Sequence, residues 1–254
     1  MPIIELRNVN KAFDRLVVLR DFSLSIEEGK SIVVIGASGT GKSVLLKHIV
    51  GLLKPDSGEV FFDGQRIDTL AERDLVPIRQ QFGFLFQMSA LFDSLTVADN
   101  IAFPLREHTN KPPEEIADIV QIKLGLVGLP DVGKKMPGQL SGGQRKRVAL
   151  ARAIALGPRV LLYDEPTTGL DPIRSDVINE LILKLQASLN VTSITVTHDM
   201  QSAFKIADRI VMLDEGKIVF DGTPRQIQEE SNPVVRRFVE GDASDEELAA
   251  IRSH

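Results

Sequence analysis

The chain of 254 residues has a net charge of −5, with 43% hydrophobic and 26% charged residues, as is usual for a water-soluble protein with one large domain or two small ones. This acidic balance gives no electrostatic reason to expect a nucleic-acid partner. The absence of cysteine excludes disulfides and thiolate metal sites, and no apolar run approaches the roughly 20 residues that cross a bilayer.

The first part of the chain predicts strands separated by turns. Apolar runs at residues 3–9, 17–19 and 22–26 indicate three strands, and Phe13 lies in a turn-like stretch at residues 10–15. An aromatic ring in that stretch has two interpretations, stacking on a purine base or packing back on the sheet.

A glycine-rich loop follows the next strand, Ser31–Ile35, and leads into a helix over Ser43–Val50. Its sequence fits the phosphate-binding pattern G-x-x-x-x-G-K-[ST]. Backbone N–H groups and the helix N-terminus would cradle phosphates, with Lys42 meeting the β- and γ-phosphate oxygens and Ser43 ligating Mg²⁺. The predicted phosphate-binding loop consists of Gly36, Ala37, Ser38, Gly39, Thr40, Gly41, Lys42 and Ser43.

Beyond the loop, Asp63-Gly64 between two apolar runs predicts a hairpin, so antiparallel strands accompany the parallel ones. The segment Gln80–Phe86 predicts a core strand that ends at Gln87. Residues 88–157 then carry helix signals and almost no strand signal. We expect them to form a helical insertion in the α/β domain.

The run Leu140–Gln144 precedes a helix predicted for Arg145–Leu156. Its serine and glycines offer a second anion site at a helix N-terminus, formed by Ser141, Gly142, Gly143 and Gln144. The basic run Arg145-Lys146-Arg147 has a simpler interpretation as a solvated helix face.

Two carboxylates follow the apolar strand at residues 160–164. A buried Asp164 needs a cation, and Mg²⁺ held jointly with Ser43 would supply it. Glu165 is then positioned to accept a proton from the water that attacks the γ-phosphate. Asp171 begins a long helix with a predicted buried stripe of Ile173, Val177, Ile178, Leu181, Ile182, Leu185 and Leu189.

The strand Thr192–Thr197 delivers His198 to its C-terminal end. A histidine there is either structural or a γ-phosphate contact. Gln87, Asp164-Glu165, His198 and the glycine loop all follow predicted strands, and ligands of open α/β sheets bind at that edge. A final hairpin, two short helices starting at Pro224 and Pro233, and an acidic tail complete the chain.

With these motifs in order, the chain resembles the nucleotide-binding subunits of ATP-binding-cassette (ABC) transporters over residues 3–223. The matches are the Walker A loop, the Walker B strand ending at Asp164, the signature Leu140–Gln144 and a D-loop at residues 169–171, which reads Thr-Thr-Gly-Leu-Asp where Ser-Ala-Leu-Asp is commoner. The resemblance implies Glu165, His198 and Lys42 as catalytic residues, adenine stacking by Phe13, and nucleotide contacts by Gln87 and Asp171. It also assigns Mg²⁺ to Ser43, Gln87 and Asp164.

The resemblance implies a P-loop ATPase fold, with an antiparallel β-subdomain and an inserted helical subdomain at about residues 88–157. Residues 1–223 would form the cassette and 224–254 a helical extension or tail. ATP would lie between the Walker A loop of one subunit and residues Ser141–Gln144, the Ser141 segment, of a second copy. The expected further partners are integral membrane permease subunits and a small accessory cytoplasmic subunit, at the cytoplasmic face of the inner membrane.

A finer similarity lies in residues 86–107 and 233–241, which look like ATPases of bacterial phospholipid-trafficking (Mla/MCE-type) transporters. It implies an ATPase that powers phospholipid movement between the two membranes. Alternatives are another ABC transport ATPase, for lipoprotein or a small solute, a cell-division-type ABC ATPase, or a soluble ABC ATPase of DNA repair or translation. The last usually carries a long coiled coil or two cassettes, and neither is present here.

Overall fold

A computed structural model describes residues 2–242, so Met1 and the tail at 243–254 lie outside the described part. The strands are β1 Pro2–Phe13, β2 Leu16–Glu27, β3 Ser31–Ile35, β4 Ser57–Phe62, β5 Gln65–Arg66, β6 Phe82–Leu85, β7 Val160–Asp164, β8 Thr192–Thr197, β9 Arg209–Asp214 and β10 Lys217–Gly222. The helices are α1 Lys42–Ile49, α2 Glu72–Arg79, α3 Val97–His108, α4 Pro113–Leu126, α5 Gly142–Ala153, α6 Pro172–Leu189, α7 Met200–Ile206, α8 Pro224–Gln228 and α9 Pro233–Glu240.

The central sheet has six strands in the order β10-β9-β3-β8-β7-β6, and only β10 runs antiparallel to its neighbour. A second sheet, β2-β1-β4-β5, is antiparallel throughout. Parallel strands with helices on both faces must be apolar on both faces, which is why all five residues of β3 are buried. The predicted fold class, with parallel and antiparallel sheets, is confirmed.

Alternate residues of the central strands enter two separate cores. Val33 and Ile35 of β3 pack with the helices at residues 97–155 and with α6 and α7. Ile32 and Val34 point the other way, into the core beneath α1 and the antiparallel sheet. The helical segment therefore shares a core with the sheet, as expected for an insertion, and its limits at 88 and 157 stay a prediction.

Three local predictions are wrong. Residues 10–13 are not a turn: β1 continues to Phe13, which pairs with Leu16, so the turn is Asp14-Arg15. In α6, Ile173 and Val177 are 79% and 47% exposed, because the first turns of the helix have no buried face; the buried stripe begins at Ile178. The basic run on α5 is only partly solvated, since Lys146 is buried.

Candidate nucleotide site

The glycine loop lies between β3 and α1 at the C-terminal edge of the central sheet. Gly36 and Gly41 are required by the fold: both have positive φ, and a Cβ would lie 2.3 Å from Leu213 O or 2.6 Å from Val18 Cγ1. Gly39 also has positive φ, but a Cβ there would meet open space. The loop thus leaves room for a ligand that approaches its backbone closely, at the N-terminus of α1.

Lys42 holds its ammonium inside the loop. Its Nζ donates to the carbonyl oxygens of Gly36 at 2.7 Å and Ala37 at 2.9 Å. Burial lowers the pKa of Lys42, while the carboxylates of Glu165 and Asp164 act in the opposite direction. An ammonium that is already partly desolvated interacts strongly with a phosphate oxygen, because little hydration is left to lose.

Ser43 and Asp164 form an all-oxygen pair across the cleft. The Ser43 hydroxyl donates to Asp164 Oδ1 at 2.9 Å, from the first turn of α1 to the end of β7. Burial raises the pKa of the Asp164 carboxyl, and the neighbouring Glu165 raises it further. Within residues 2–242, no cluster of three or more His, Asp or Glu side chains is arranged to hold a metal ion by itself. These hard oxygen donors fit Mg²⁺, with phosphate and water oxygens completing its shell.

Glu165 lies just beyond β7 with a left-handed backbone, φ 49°, which costs a non-glycine residue on the order of 1 kcal/mol. Its carboxylate is held from three directions. His198 Nδ1 lies 3.0 Å from it, and the hydroxyls of Thr168 and Thr197 donate to Oε2 at 3.2 and 3.4 Å. The strained backbone and the fixed carboxylate are what an aimed proton acceptor needs.

The cleft in front of these groups has a volume of about 410 Å³. It brings together the glycine loop, the candidate acid–base pair and an aromatic wall, and its lining comprises Phe13, Leu16, Val18, Ser38, Gly39, Gly41, Lys42, Ser43, Val44, Gln87, Glu165 and His198. Phe13, Gln87, Glu165 and His198 therefore line one cleft, and their roles toward a nucleotide stay a prediction. Ser141–Gln144 and Asp171 do not line this cleft of the described chain.

Asp56, which belongs to no motif in the sequence, fixes the end of β1 beside Phe13. Asp56 accepts from Lys11 Nζ at 2.6 Å and from the backbone N–H of Ala12 at 2.7 Å. Lys11 in turn lies 5.4 Å from the centre of the Phe13 ring. The end of β1 is thus fixed next to the cleft, so Phe13, 44% exposed, presents its ring there. The pairing across 45 residues left no local signal.

The Ser141 segment forms the N-terminus of α5. The Ser141 hydroxyl accepts from the N–H of Gln144 at 3.3 Å, and the Gln144 side chain accepts from the N–H of Ser141 at 3.0 Å. Neither Gly142 nor Gly143 has positive φ, and a Cβ on either would come no closer than 3.8 Å to another part of the chain. The packing of this chain gives no steric reason for glycine at these positions.

Asp171 caps α6 beside this segment. Its side chain accepts from the N–H of Arg174 at 3.0 Å. Leu170 and Arg174 are the nearest neighbours that a Cβ at Gly142 or Gly143 would meet. The Ser141 segment and the predicted D-loop therefore lie side by side on one surface.

Residues 19–168 match the ABC transporter family. The Haemophilus influenzae intermembrane phospholipid transport system ATP-binding protein MlaF is 43% identical over 242 residues, 95% of this chain and 91% of that protein. The Mycobacterium tuberculosis probable ribonucleotide transport ATP-binding protein mkl is 44% identical over 238 residues, 94% of this chain but 66% of that protein.

Among solved structures, the ATP-binding cassette MJ0796, in a dimer bound to ADP and Pi, superposes with a TM-score of 0.80 at 34% identity. That match covers 87% of this chain and 99% of the cassette. In residues 2–242, no helix is both long and apolar enough to span a membrane. The match over more than half of the chain and the relatives at more than 40% identity show that this chain belongs to the ABC transporter family, as an ATP-binding cassette ATPase.

Proposed function

We propose that this chain binds and hydrolyses ATP as a homodimer and thereby powers a membrane permease that moves phospholipid. The observation that carries the proposal is the pair of anion-binding helix N-termini. One belongs to α1 and completes the cleft; the other belongs to α5 and lies outside it. A triphosphate held by the first in one copy and the second in another copy uses both.

The glycines at the start of α5 support this arrangement. Since the chain itself does not require Gly142 or Gly143, a requirement from outside the chain explains them, and a nucleotide on the facing subunit is such a requirement. The dimeric relative bound to ADP and Pi is consistent with this geometry. In the closed dimer, Asp171 would lie beside the same nucleotide, as its position next to the Ser141 segment suggests.

In the proposed hydrolysis, the candidate site residues have distinct roles. Lys42 and the loop N–H groups bind and orient the phosphates, and Phe13 stacks on the base. Glu165, aimed by His198 and two threonines, accepts the proton of the attacking water, and His198 contacts the γ-phosphate. Ser43, Asp164 and Gln87 would hold Mg²⁺, which supplies charge neutralisation at the β- and γ-phosphate oxygens.

An apolar groove beside Gln87 is suited to a helix of the permease. It has a volume of about 460 Å³ and includes Phe84, Phe86, Phe92 and Phe103. The rings of Phe84 and Phe86 are stacked with their centroids 4.1 Å apart, and the ring centroids of Phe92 and Phe103 are 4.9 Å apart. Met88, in the adjoining loop, is 86% exposed. Exposed apolar side chains around a groove are the usual receptor for an amphipathic helix.

This docking site gives a direct prediction. Met88→Glu places a charge where the permease helix would bind, so we expect co-purification of the permease to fall by about tenfold or more, equivalent to about 1.4 kcal/mol. ATP binding by the isolated subunit should be unchanged. Ile122→Glu is the matched control, because Ile122 on α4 is also an exposed apolar residue, at 61%. Equal loss of permease with both variants would refute the groove assignment.

Phospholipid as cargo follows from the similarity to MlaF, while the name of the mycobacterial relative suggests ribonucleotide transport. Purifying the tagged full chain from its own membranes would identify the bound integral subunits, and any accessory subunit, by mass spectrometry. The complex, reconstituted in vesicles, should then transfer labelled phospholipid in an ATP-dependent manner. ATP-dependent ribonucleotide uptake without lipid transfer would instead favour the mycobacterial assignment.

We place the working protein on the cytoplasmic face of the inner membrane, bound through its permease. We also propose residues 1–223 as the cassette and 224–254 as an extension that serves assembly. Within the described part of that extension, Ile227 and Val235 are buried, which anchors α8 and α9 to the body of their own chain. The last residues, from 243, lie outside the described part.

A further inference from the structure

Lys146 is a buried lysine in α5, the helix that Ser141 caps. Lys146 is only 5% exposed. Burial lowers the pKa of its ammonium group, although the charge of Glu165 opposes this effect. Buried ammonium groups are costly unless they are paired or well hydrogen-bonded. A lysine kept at such a position therefore has contacts that need explanation.

Those contacts reach the two residues that flank the cleft. The Nζ atom donates to the backbone carbonyl oxygen of Gln87 at 3.1 Å and to that of Glu165 at 3.3 Å. One side chain from α5 thus joins the end of β6 to the end of β7 behind the site.

A second cation from the same helix continues this connection along the Gln87 loop. Arg152 donates to the carbonyl oxygens of Ala90 at 2.7 Å and Ser89 at 3.0 Å, and its guanidinium lies 5.8 Å from the centre of the Phe92 ring. Ser89 and Ala90 both have positive φ, a backbone conformation that needs outside support in residues other than glycine. α5 therefore binds the loop that follows β6 at two places, at Gln87 and at Ser89-Ala90.

We propose that Lys146 is a positioning residue for ATP hydrolysis, which holds the backbones of Gln87 and Glu165 in register and links both to the Ser141 end of α5. This inference rests on the proposed function, since it assumes that Gln87 and Glu165 act on the nucleotide. Lys146 lies five residues after Ser141, about 7.5 Å along the helix. A displacement of the helix tip by the nucleotide of a facing subunit is therefore passed to both loops.

Replacement of Lys146 by methionine tests this role. Met has a similar length and no donor, so Lys146→Met should leave the melting temperature within a few degrees and the affinity for ATP within about twofold. The kcat for ATP should fall by at least tenfold with little change in KM. Lys146→Arg, which keeps the charge and the donors, should recover most of the kcat. Lys123→Met is the matched control, because burial also lowers the pKa of Lys123, which lies on α4.

Hydrogen–deuterium exchange gives a second readout that needs no turnover. In Lys146→Met without nucleotide, amides at residues 87–92 and 165–168 should exchange faster, whereas those in Lys123→Met should not. Unchanged exchange and unchanged kcat in Lys146→Met would overturn this inference and leave the proposed function intact. A wild-type complex without ATPase activity would refute the proposed function, while faster exchange in Lys146→Met would still support the tether.

Discussion

At the scale of single residues, the side chains of the candidate site hold one another in place. Glu165 adopts a left-handed backbone and its carboxylate is bound by His198, Thr168 and Thr197. Asp164 is fixed by the hydroxyl of Ser43. Fixed side chains lose little conformational entropy when a substrate binds, because they are already ordered in the folded protein. Burial of the charged Asp164 carboxylate next to Glu165 lowers the free energy of unfolding.

Asp164→Asn should therefore raise the stability of the folded protein at neutral pH. Burial and the charge of Glu165 raise the pKa of Asp164 above its ordinary 3.8. An acid with a raised folded-state pKa costs stability as the pH rises above its unfolded value, and the cost is complete above the folded-state pKa. We expect the variant to melt about 2 to 4 °C higher at pH 7.5, the effect of ~1 kcal/mol in a domain of this size. The difference should vanish as the pH falls towards 3.8.

Scanning fluorimetry measures this shift, with Asp118→Asn on the exposed face of α4 as the control. The ATPase activity of Asp164→Asn should be lost, since an amide oxygen is a weaker magnesium ligand than a carboxylate. A variant that is less stable than the wild type at pH 7.5 would contradict this account of the pair.

At the scale of elements, the motifs could be predicted and their long-range partners could not. The hairpin at Asp63-Gly64, the strand before the glycine loop and the start of α6 after Asp171 depend on neighbours within a few residues, and all are present. The helix predicted from Arg145 begins earlier, at Gly142. The run Arg145-Lys146-Arg147 is uniformly basic in sequence and so predicts that Lys146 is solvated. Its burial depends on contacts with Gln87 and Glu165, 59 and 19 residues away.

Two helices left no clear sequence signal. α2 contains Pro77 and buries only Leu75 and Ile78, so it has little apolar periodicity. α7 has seven residues and begins at Met200, directly after its N-cap Asp199. In α6 the spacing of Ile173 and Val177 fitted a buried face, but this part of the helix has nothing packed over it in the described chain. A helical period shows which residues share a face and does not show how far the covering element extends.

The N-terminus of α5 gives a prediction at this scale. In Gly143→Ala the new Cβ meets no atom of the chain closer than 3.8 Å, and alanine is the better helix former by about 0.5 to 1 kcal/mol. The melting temperature should therefore stay constant or rise. ATPase activity should nevertheless fall by about tenfold or more, because the methyl group obstructs the nucleotide of the facing subunit.

Gly125→Ala on α4 is the matched control, since a Cβ there also meets open space. Its melting temperature should likewise stay constant or rise, and its turnover should stay near the wild-type value. If Gly143→Ala hydrolyses ATP as fast as the Gly125→Ala control, the outside requirement for glycine at the start of α5 does not exist.

At the scale of the whole molecule, the nucleotide site that we propose is divided between two separate places on one chain. The cleft holds the glycine loop, Glu165 and His198, and the Ser141 segment lies apart from it beside Asp171. The groove of phenylalanines lies next to Gln87, within reach of the cations of α5. ATP-driven pairing of two chains would thus be transmitted along α5 to the surface that we assign to the permease.

The most direct test is the mass of the Glu165→Gln variant in solution, with and without ATP, measured by size-exclusion chromatography with light scattering. Gln keeps the shape of Glu165 and blocks proton acceptance, so the bound triphosphate should persist. The account predicts a monomer without nucleotide and twice that mass with ATP, and no such change when Lys42→Ala is added. A Glu165→Gln protein that binds ATP and remains a monomer, alone and with its permease, would contradict it.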